Sequence, residues 1–509
     1  MGLPRPGIGD VLAGISVALV LIPQSLAYAQ LAGMPAYRGL YAAALPPIAA
    51  AFFASSPYLQ TGPVALTSLL TFGALSGLAP IGSDEYVALG ILLALVVGAA
   101  RLAVGLLRAG VVAYLVSQPM LLGFMPAAAI LIIASQLPKA LGASPPEEGI
   151  LAGAAWALEH PGSWETTSVV LSVVVVALVL GGRLVHRLFP SVLLAVVIGI
   201  AYSQAAEYAG PTVGSVPQGL PPFSVDMPWR ELPSLLVAGI VIAFVGFVEP
   251  SSIARTYAAQ DRSSWNPNRE FVSQGAANVA AAVSGGFPVG GSFSRSAVNR
   301  SAGARTRTSG AVTGVAVLAF LPFASALSSL PLAVLSAIVI GAVVPLVRPL
   351  PMLRLARLSR PQFLVAGATF ALTLLLAPRV DRAVLIGVGL AVAVHLWREL
   401  SLEVQSWTDR DALHLRPSGV LWFGTTPRLE DVLLALVAEH REAKRLVVHL
   451  DRLGRIDMTG ALAFRALLQE GRRAGLAVEI VDVRPRWKGL VENVIAKEGD
   501  PLGSPSRGG

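Results

Sequence analysis

The 509-residue chain contains no cysteine, six histidines and only 13% charged residues. Without cysteine there can be no disulfide, thiolate nucleophile or Cys-ligated metal. The histidines stand at 160, 186, 395, 414, 440 and 449 and have no metal-ligand spacing, so a zinc site or a Ser-His-Asp hydrolase has almost nothing to stand on. No metal and no cofactor are expected, and the chain does not read as an enzyme. A soluble protein of this size carries roughly a quarter charged residues. With 54% hydrophobic residues and a mean hydropathy of +0.67, a water-soluble protein is all but excluded.

The charge is also unevenly placed. Residues 1–400 hold 22 Lys+Arg and 15 Asp+Glu, whereas 401–509 hold 16 and 15. The first stretch is bilayer-like and the second has the composition of an ordinary soluble domain. Nearly all of the net charge of +8 lies in the apolar part, where loop arginines account for it. The tail has no basic stripe interleaved with aromatics, so nucleic acid is not an expected partner.

What is present is a succession of apolar segments. They cover about 9–27, 38–54, 62–77, 86–107, 111–136, 167–184, 190–208, 232–254, 269–284, 292–302, 309–329, 331–350, 361–378 and 382–399. Most of these fourteen reach the roughly 20 residues that cross a bilayer as a helix. The run at 11–22 follows Arg5 and mimics a signal peptide, but Asp10 abuts it, and an uncleaved first span is expected. Two segments, 62–77 and 292–302, are short and follow glycine-rich, extended stretches. They are third in each group of seven, the pattern of inverted repeats with a central binding site. PQSLA (23–27) is echoed by PSSIA (250–254) at matched distances from the two short segments. Repeat one then covers about 9–208 and repeat two about 232–400.

Fourteen loop arginines, among them Arg101, Arg300, Arg305 and Arg307, fall on the side of the N-terminus, against five basic residues on the other. The positive-inside rule places the N-terminus and the tail in the cytoplasm of a multi-pass inner-membrane protein. The tail alternates expected strands at 412–415, 420–423, 446–450 and 478–481 with helices at 429–442, 459–473 and 486–496, a small α/β domain over 409–497. Residues 498–509 are Gly/Ser/Pro-rich and expected to be disordered.

Several residues could carry chemistry. Arg295 opens a short segment at membrane depth, where a cation is costly unless it faces a cavity or a partner. With the Ser294 hydroxyl and the amides of a half-helix N-terminus it can hold a small anion; otherwise it snorkels or pairs with a structural carbonyl. Gly62, Pro63, Val64 and Ala65 form the opposing wall, an unwound start to a second half-helix or an ordinary Gly-Pro kink. Gln24 and Tyr28, four apart on the first span, share a helical face and offer either ligand contacts or interhelical glue. Glu249 is the acidic residue well inside a span. It reads as a coupling-ion carrier, or as the group that neutralises Arg295 or organises Ser251 and Ser252. In the tail, Thr459 opens a helix after Asp457, as a capped start or a phosphorylation point.

These blocks resemble the sulfate permease family, bacterial relatives of the animal solute-carrier-26 anion transporters. The resemblance rests on DVLAGISVALVLIPQSLAYAQLAGMPAYRGLY (10–41), TGPVA (61–65) and NPNREFVSQGAANVAAAVSGGFPVGGSFSRSAVNRSAGARTRTSG (266–310). The tail is similar to a STAS domain through HLDRLGRIDMTGALAF (449–464), with Thr459 where anti-sigma-factor antagonists often carry a phosphorylatable serine. The resemblance implies a helical fold of 14 spans in a seven-plus-seven inverted repeat, with the core and gate domains of uracil permeases. It implies an anion site between the short segments, helped by Gln24 and Tyr28, and a homodimer. The expected function is secondary active transport of sulfate, bicarbonate or a C4-dicarboxylate by alternating access, as symport with H+ (or Na+) as coupling ion. An anion exchanger or channel is the nearer alternative. A membrane scaffold whose tail recruits a cytoplasmic protein partner is the more distant one. Beyond these, membrane lipid is the expected surrounding. A carrier of neutral nucleobases has no need of Arg295.

Overall fold

The computed structural model describes residues 3–114, 117–146, 149–185, 189–221, 223, 227–399 and 402–495. The chain divides into two units, Met1–Ala391 and Val392–Gly509. The tail expected to be disordered, 498–509, and the end of the expected helix at 486–496 lie outside the described residues.

The first unit runs α1 (Ile8–Leu31), α2 (Arg38–Phe53), a two-residue strand β1 (Thr61–Gly62), α3 (Ala65–Leu75), α4 (Asp84–Leu106), α5 (Gln118–Leu141), α6 (Ile150–Glu159), α7 (Thr166–Val185) and α8 (Ser191–Ala205). It continues with α9 (Leu232–Gln260), α10 (Pro267–Val283), β2 (Gly290–Gly291), α11 (Phe293–Ser301), α12 (Thr308–Phe320), α13 (Leu332–Val343), α14 (Leu350–Leu358), α15 (Arg360–Leu375) and the first part of α16 (Val380–Glu399), a helix within which the division at Ala391 falls. Each expected apolar segment overlaps at least one of these helices, with ends that differ by several residues in places. Among the described residues, seven helical stretches are long and apolar enough to cross a membrane by length and composition. The two short segments are each a strand followed by a short helix, because Gly62-Pro63 and Gly290-Gly291 keep the backbone extended before the helix starts. Two helices were not expected. They are α6 and α14, the latter hidden by Arg354 and Arg357, which interrupt its apolar face.

The helices pack across the two halves of the sequence. One group joins α1–α4 to α9–α12, with α4 against α10, α2 against α10 and α12, and α1 against α12. The other sets α5 against α15 and α13 against α5 and α7. Small residues allow the closest approach. A Cβ on Gly98 or on Gly275 would lie 3.1 Å from the carbonyl oxygen of the other, so only glycine lets α4 and α10 touch backbone to backbone. In lipid, where apolar burial does not drive helices together, such contact supplies much of the association.

Arg101 corrects the loop-charge count. It is fully buried on α4, not in a loop. Its guanidinium donates to the carbonyls of Ala243 at 3.0 Å, Val289 at 2.9 Å and Ile242 at 3.2 Å, tying α4 to α9 and to the residue before β2. Arg101→Met removes three charge-assisted donors from buried carbonyls and is expected to destabilise the protein by about 2–4 kcal/mol. Thermal melts in detergent would read this as a lowered midpoint. A midpoint unchanged from wild type would show that the buried cation is dispensable to the fold.

The second unit is a five-stranded sheet with helices on one face. Strand β3 (Glu403–Asp409) pairs antiparallel with β4 (Ala412–Leu421), which pairs parallel with β5 (Arg445–His449) and β6 (Leu453–Ile456), and β5 pairs parallel with β7 (Ala477–Val481). Helices α17 (Thr426–Glu439) and α18 (Met458–Arg473) bury Leu429, Leu433, Phe464 and Leu468 against Leu413, Leu415, Leu446 and Val448. The two strands expected at 412–415 and 420–423 are one strand that ends at Leu421. Pro417 is tolerated because it falls between the stretches of β4 that pair with β5 and with β6, where no N–H is required on that side. β3, which precedes residue 409, and β6 were missed because neither carries a hydrophobic run.

Side chains alternate across the sheet, so His414 and Arg416 point away from the helices. The Trp407 ring stacks on His414 at 5.0 Å, His414 Nδ1 lies 3.0 Å from His449 Nε2, and His449 Nδ1 lies 2.6 Å from Asp482. Arg416 makes a bidentate pair with Asp451 at 2.7 and 2.9 Å, which holds that carboxyl below its ordinary range. Burial, and then the neighbouring His449, push His414 below the ordinary histidine value. The unfolded chain therefore takes up this proton first, near pH ~6.5, and the unit loses stability as the pH falls below that value. Hydrogen exchange of β4 and β5 is expected to quicken, after correction for intrinsic rates, between pH about 7.5 and about 5.5. His414→Gln should remove that dependence, and its persistence in the variant would assign the titration elsewhere.

Candidate functional site

β1 and β2 pair antiparallel, Thr61 with Gly291 and Gly62 with Gly290, and the Ser292 amide donates to the Gln60 carbonyl at 3.0 Å. The pair sets the starts of α3 and α11 side by side. α10 holds it in place from one side. Gln274 Nε2 donates to Thr61 Oγ1 at 2.8 Å, and the Asn278 amide clamps Val289 through its N–H at 3.0 Å and its carbonyl at 3.1 Å. Both α10 residues are fully buried. Sequence reasoning passed over them, although two amides four apart in an apolar run are the signal of buried glue.

Val64 precedes α3 in an extended conformation and provides no side-chain cap, so the first amides of α3 have no such partner. On α11, Ser292 is the N-cap, and Glu249 Oε1 accepts from the Phe293 amide at 3.1 Å. The two helix starts border a cavity of about 140 Å³ lined on one side by Tyr28, Val64, Ala65, Glu249, Ser292 and Ser294. Residues of α5 and α13, including Met125, Ala129 and Val343, close the other side. The cavity therefore lies between the two helix groups. Its volume is below the roughly 300–1,000 Å³ of sites for drug-sized ligands and suits a small ion. Each helix start contributes the equivalent of about half a positive charge.

Of the residues singled out from the sequence, Tyr28, Val64, Ala65, Ser294 and Glu249 line this cavity. Gln24, Gly62, Pro63 and Arg295 stand one layer behind it. Arg295 is fully buried; Nη1 donates to Gln24 Oε1 at 3.3 Å and Nη2 to the Pro63 carbonyl at 2.8 Å. Both acceptors are neutral, so the guanidinium is a strut between α1, α11 and the β1–α3 turn that keeps its positive charge. Its Nε is buried and has no hydrogen-bond partner among the described residues. Ser251 is spent within α9, its hydroxyl donating to the Val248 carbonyl at 2.9 Å. Among the described residues no group of His, Asp or Glu could hold a metal ion.

In the second unit Thr459 is exposed in the first turn of α18, its hydroxyl donating to Asp457 Oδ1 at 2.9 Å. Asp457 is the cap, accepting from the Gly460 amide at 2.6 Å. The capped start thus exists, and the hydroxyl is reachable.

The chain matches the sequence profile "Sulfate permease family" over residues 8–369 and the profile "STAS domain" over 404–500. It is 35% identical over 397 residues to "Sulfate transporter 4.1, chloroplastic" of Arabidopsis thaliana, covering 75% of this chain and 57% of that one. It is 29% identical to the "Sodium-independent sulfate anion transporter" of Bos taurus over 514 residues, 93% of this chain and 83% of that one. The chain thus spans less than two thirds of the length of the Arabidopsis sulfate transporters 4.1 and 4.2. Its fold is that of the murine Solute Carrier 26 family member A9 anion transporter in the inward-facing state, with a TM-score of 0.87 at 20% identity, covering 97% of this chain and 90% of that one. The transmembrane domain of the cyanobacterial bicarbonate transporter BicA superposes with a TM-score of 0.64 at 24% identity, covering 75% of this chain and 97% of that one. A helical membrane-transporter fold followed by a STAS domain, with both profiles matched in that order, makes this chain a member of the sulfate permease family.

Proposed function

We propose that the chain is a secondary transporter of a small anion, with sulfate, bicarbonate or a C4-dicarboxylate as its substrate. The observation that carries this reading is the β1–β2 pair, which brings two helix starts to one small cavity with the Arg295 cation behind it. Positive ends of half-helices with a cation behind them favour an anion, and Glu249, beside the start of α11, is the one acidic group in the cavity lining among the described residues. Relatives named for sulfate and structural neighbours named for anion or bicarbonate transport support the substrate class.

In this reading α1–α8 and α9–α16 are the halves of an inverted seven-plus-seven repeat with fourteen spans. The group α1–α4 with α9–α12 rocks against the rest and carries the cavity across the inner membrane, which is alternating access. Glu249, at the rim of the cavity and bonded to the first amide of α11, is the proton carrier, with Na+ as the other candidate ion. The N-terminus and the STAS domain lie in the cytoplasm, the protein is a homodimer, and Thr459 is where a cytoplasmic protein partner acts.

The test is uptake of labelled sulfate, bicarbonate and a C4-dicarboxylate into proteoliposomes, with and without an acid-outside pH gradient. Saturable accumulation that follows the gradient is the expected result. Uptake that requires a counter-anion inside and ignores the gradient would replace symport by exchange. Current without saturation would replace the carrier by a channel.

A further inference from the structure

A second cavity, of about 350 Å³ and sharing no lining residue with the first, opens on the side of the first unit where Pro4 lies. Its walls are the α2–β1 linker, the end of α9 with the turn that follows, and the α11–α12 linker. Three arginines line it, Arg269 from the first turn of α10 and Arg305 and Arg307 from the α11–α12 linker, together with Tyr58, Tyr257 and Trp265. The one acidic residue in the lining, Asp261, is taken by Arg300 at 2.7 Å.

Two of the arginines donate to backbone carbonyls of the α2 end. Arg269 Nε donates to the Phe53 carbonyl at 3.0 Å, and Arg307 Nη1 donates to that of Ala54 at 3.1 Å. The Arg305 side chain is exposed and makes no ion pair among the described residues. The two carboxylates behind the wall are bound to amides. Glu270 Oε2 accepts from the Ser55 and Ser56 amides and from Trp265 Nε1, and Asp10 accepts from the Arg305 and Thr306 amides. The starts of α10 and α12 face the same linkers and add positive potential. The result is a roomy, cationic, aromatic-walled cavity with guanidinium forks and no free carboxylate in its lining. Guanidinium forks match the oxygens of a phosphoryl group in geometry, and several of them in one wall suit its double charge better than they suit a spherical ion such as chloride. A body larger than an inorganic ion fits the volume.

We propose that this cavity is a binding site for a phosphorylated organic ligand, separate from the transport cavity, with Arg305 and Arg269 gripping the phosphoryl oxygens. The site is wired to the transport helix. The Tyr58 carbonyl in its wall accepts from Asn299 Nδ2 of α11 at 3.1 Å, and the Gln60 amide donates to Ser296 Oγ of the same helix at 3.0 Å. The phosphoryl chemistry is shared by soluble phosphate esters and lipid headgroups, and the test separates these sources.

Hydrogen exchange would be measured on the full chain in phosphatidylcholine nanodiscs, with sn-glycerol 3-phosphate added in one arm and phosphatidic acid included in the bilayer in the other. Protection is expected at 54–58, 263–270 and 305–307 in at least one arm. Protection in the first arm assigns a soluble ester, and protection in the second alone assigns a headgroup. Arg305→Gln should weaken the apparent affinity about tenfold, the loss of one charge-assisted hydrogen bond, and Arg305→Lys should recover part of it. Because Arg305 is exposed, neither variant threatens the fold. No local protection in either arm would overturn the proposal, as would protection that survives Arg305→Gln combined with Arg269→Gln. The readout is local binding, so it stands or falls independently of whether the protein transports anions.

Discussion

Arg295→Gln is expected to reduce saturable anion uptake by at least ~100-fold in kcat/KM, about 2.7 kcal/mol of lost stabilisation. The cation is fully buried behind the cavity, its guanidinium donates to the neutral oxygens of Gln24 and Pro63, and Glu249 at the cavity rim is the acidic group that offsets part of its charge. In a low-dielectric site such a charge acts over several ångströms and favours an anion at the helix starts. The same guanidinium also braces α1 against the β1–α3 turn, and the two roles must be told apart. Arg295→Lys keeps the charge, but a single ammonium cannot reach both acceptors as a planar fork does. If the charge matters, Lys restores a measurable part of the uptake, with a raised KM. If only the brace matters, Lys is as poor as Gln. Thermal melts on the same preparations would separate lost binding from lost fold, and uptake by Arg295→Gln at the wild-type rate would remove Arg295 from the mechanism.

Glu249→Gln is expected to separate movement from coupling. The substituted amide oxygen can still accept from the Phe293 amide, so the start of α11 keeps its cap while the titratable group is gone. Downhill uptake should stay within about threefold of wild type, because the cavity lining changes by one atom. Gradient-driven accumulation should disappear. One proton carried per anion lets a gradient of about one pH unit support roughly tenfold accumulation, and without the carboxyl the ratio should fall to about one. The assay is the proteoliposome uptake described above, run to its plateau with acid outside. A plateau as high in Glu249→Gln as in wild type would exclude this carboxyl as the carrier and turn attention to Na+ or to exchange.

Much of this site could be read from residue order. Apolar length placed the helices because in lipid every backbone polar group must be satisfied within its own segment, so a span leaves a continuous apolar run. Gly62-Pro63 and Gly290-Gly291 marked the two interrupted segments because those residues permit extended backbone where helix would otherwise continue. Arg295 and Glu249 drew attention because charge at membrane depth needs a reason. Other parts were not legible. α14 hid its apolar face among arginines, and β3 is an edge strand without a hydrophobic run. Arg101 resembled a loop charge because sequence hydropathy cannot tell a buried cation solvated by three carbonyls from one facing water.

By itself, then, the sequence determined the class of the protein: a long apolar unit of helices, two short segments in matching positions, an α/β tail, and several of the residues that line or back the cavity. These are properties of local composition and period, which act on each segment independently of its neighbours. Only the tertiary structure decided that β1 pairs with β2, that Gln274 and Asn278 hold them, and that Arg295 stands behind the cavity while Ser294 and Glu249 face it. The strand pair and the Gln274–Thr61 bond join residues more than two hundred positions apart. They depend on which helix faces approach and which carbonyls a buried donor can reach, and no local pattern in the chain carries that information.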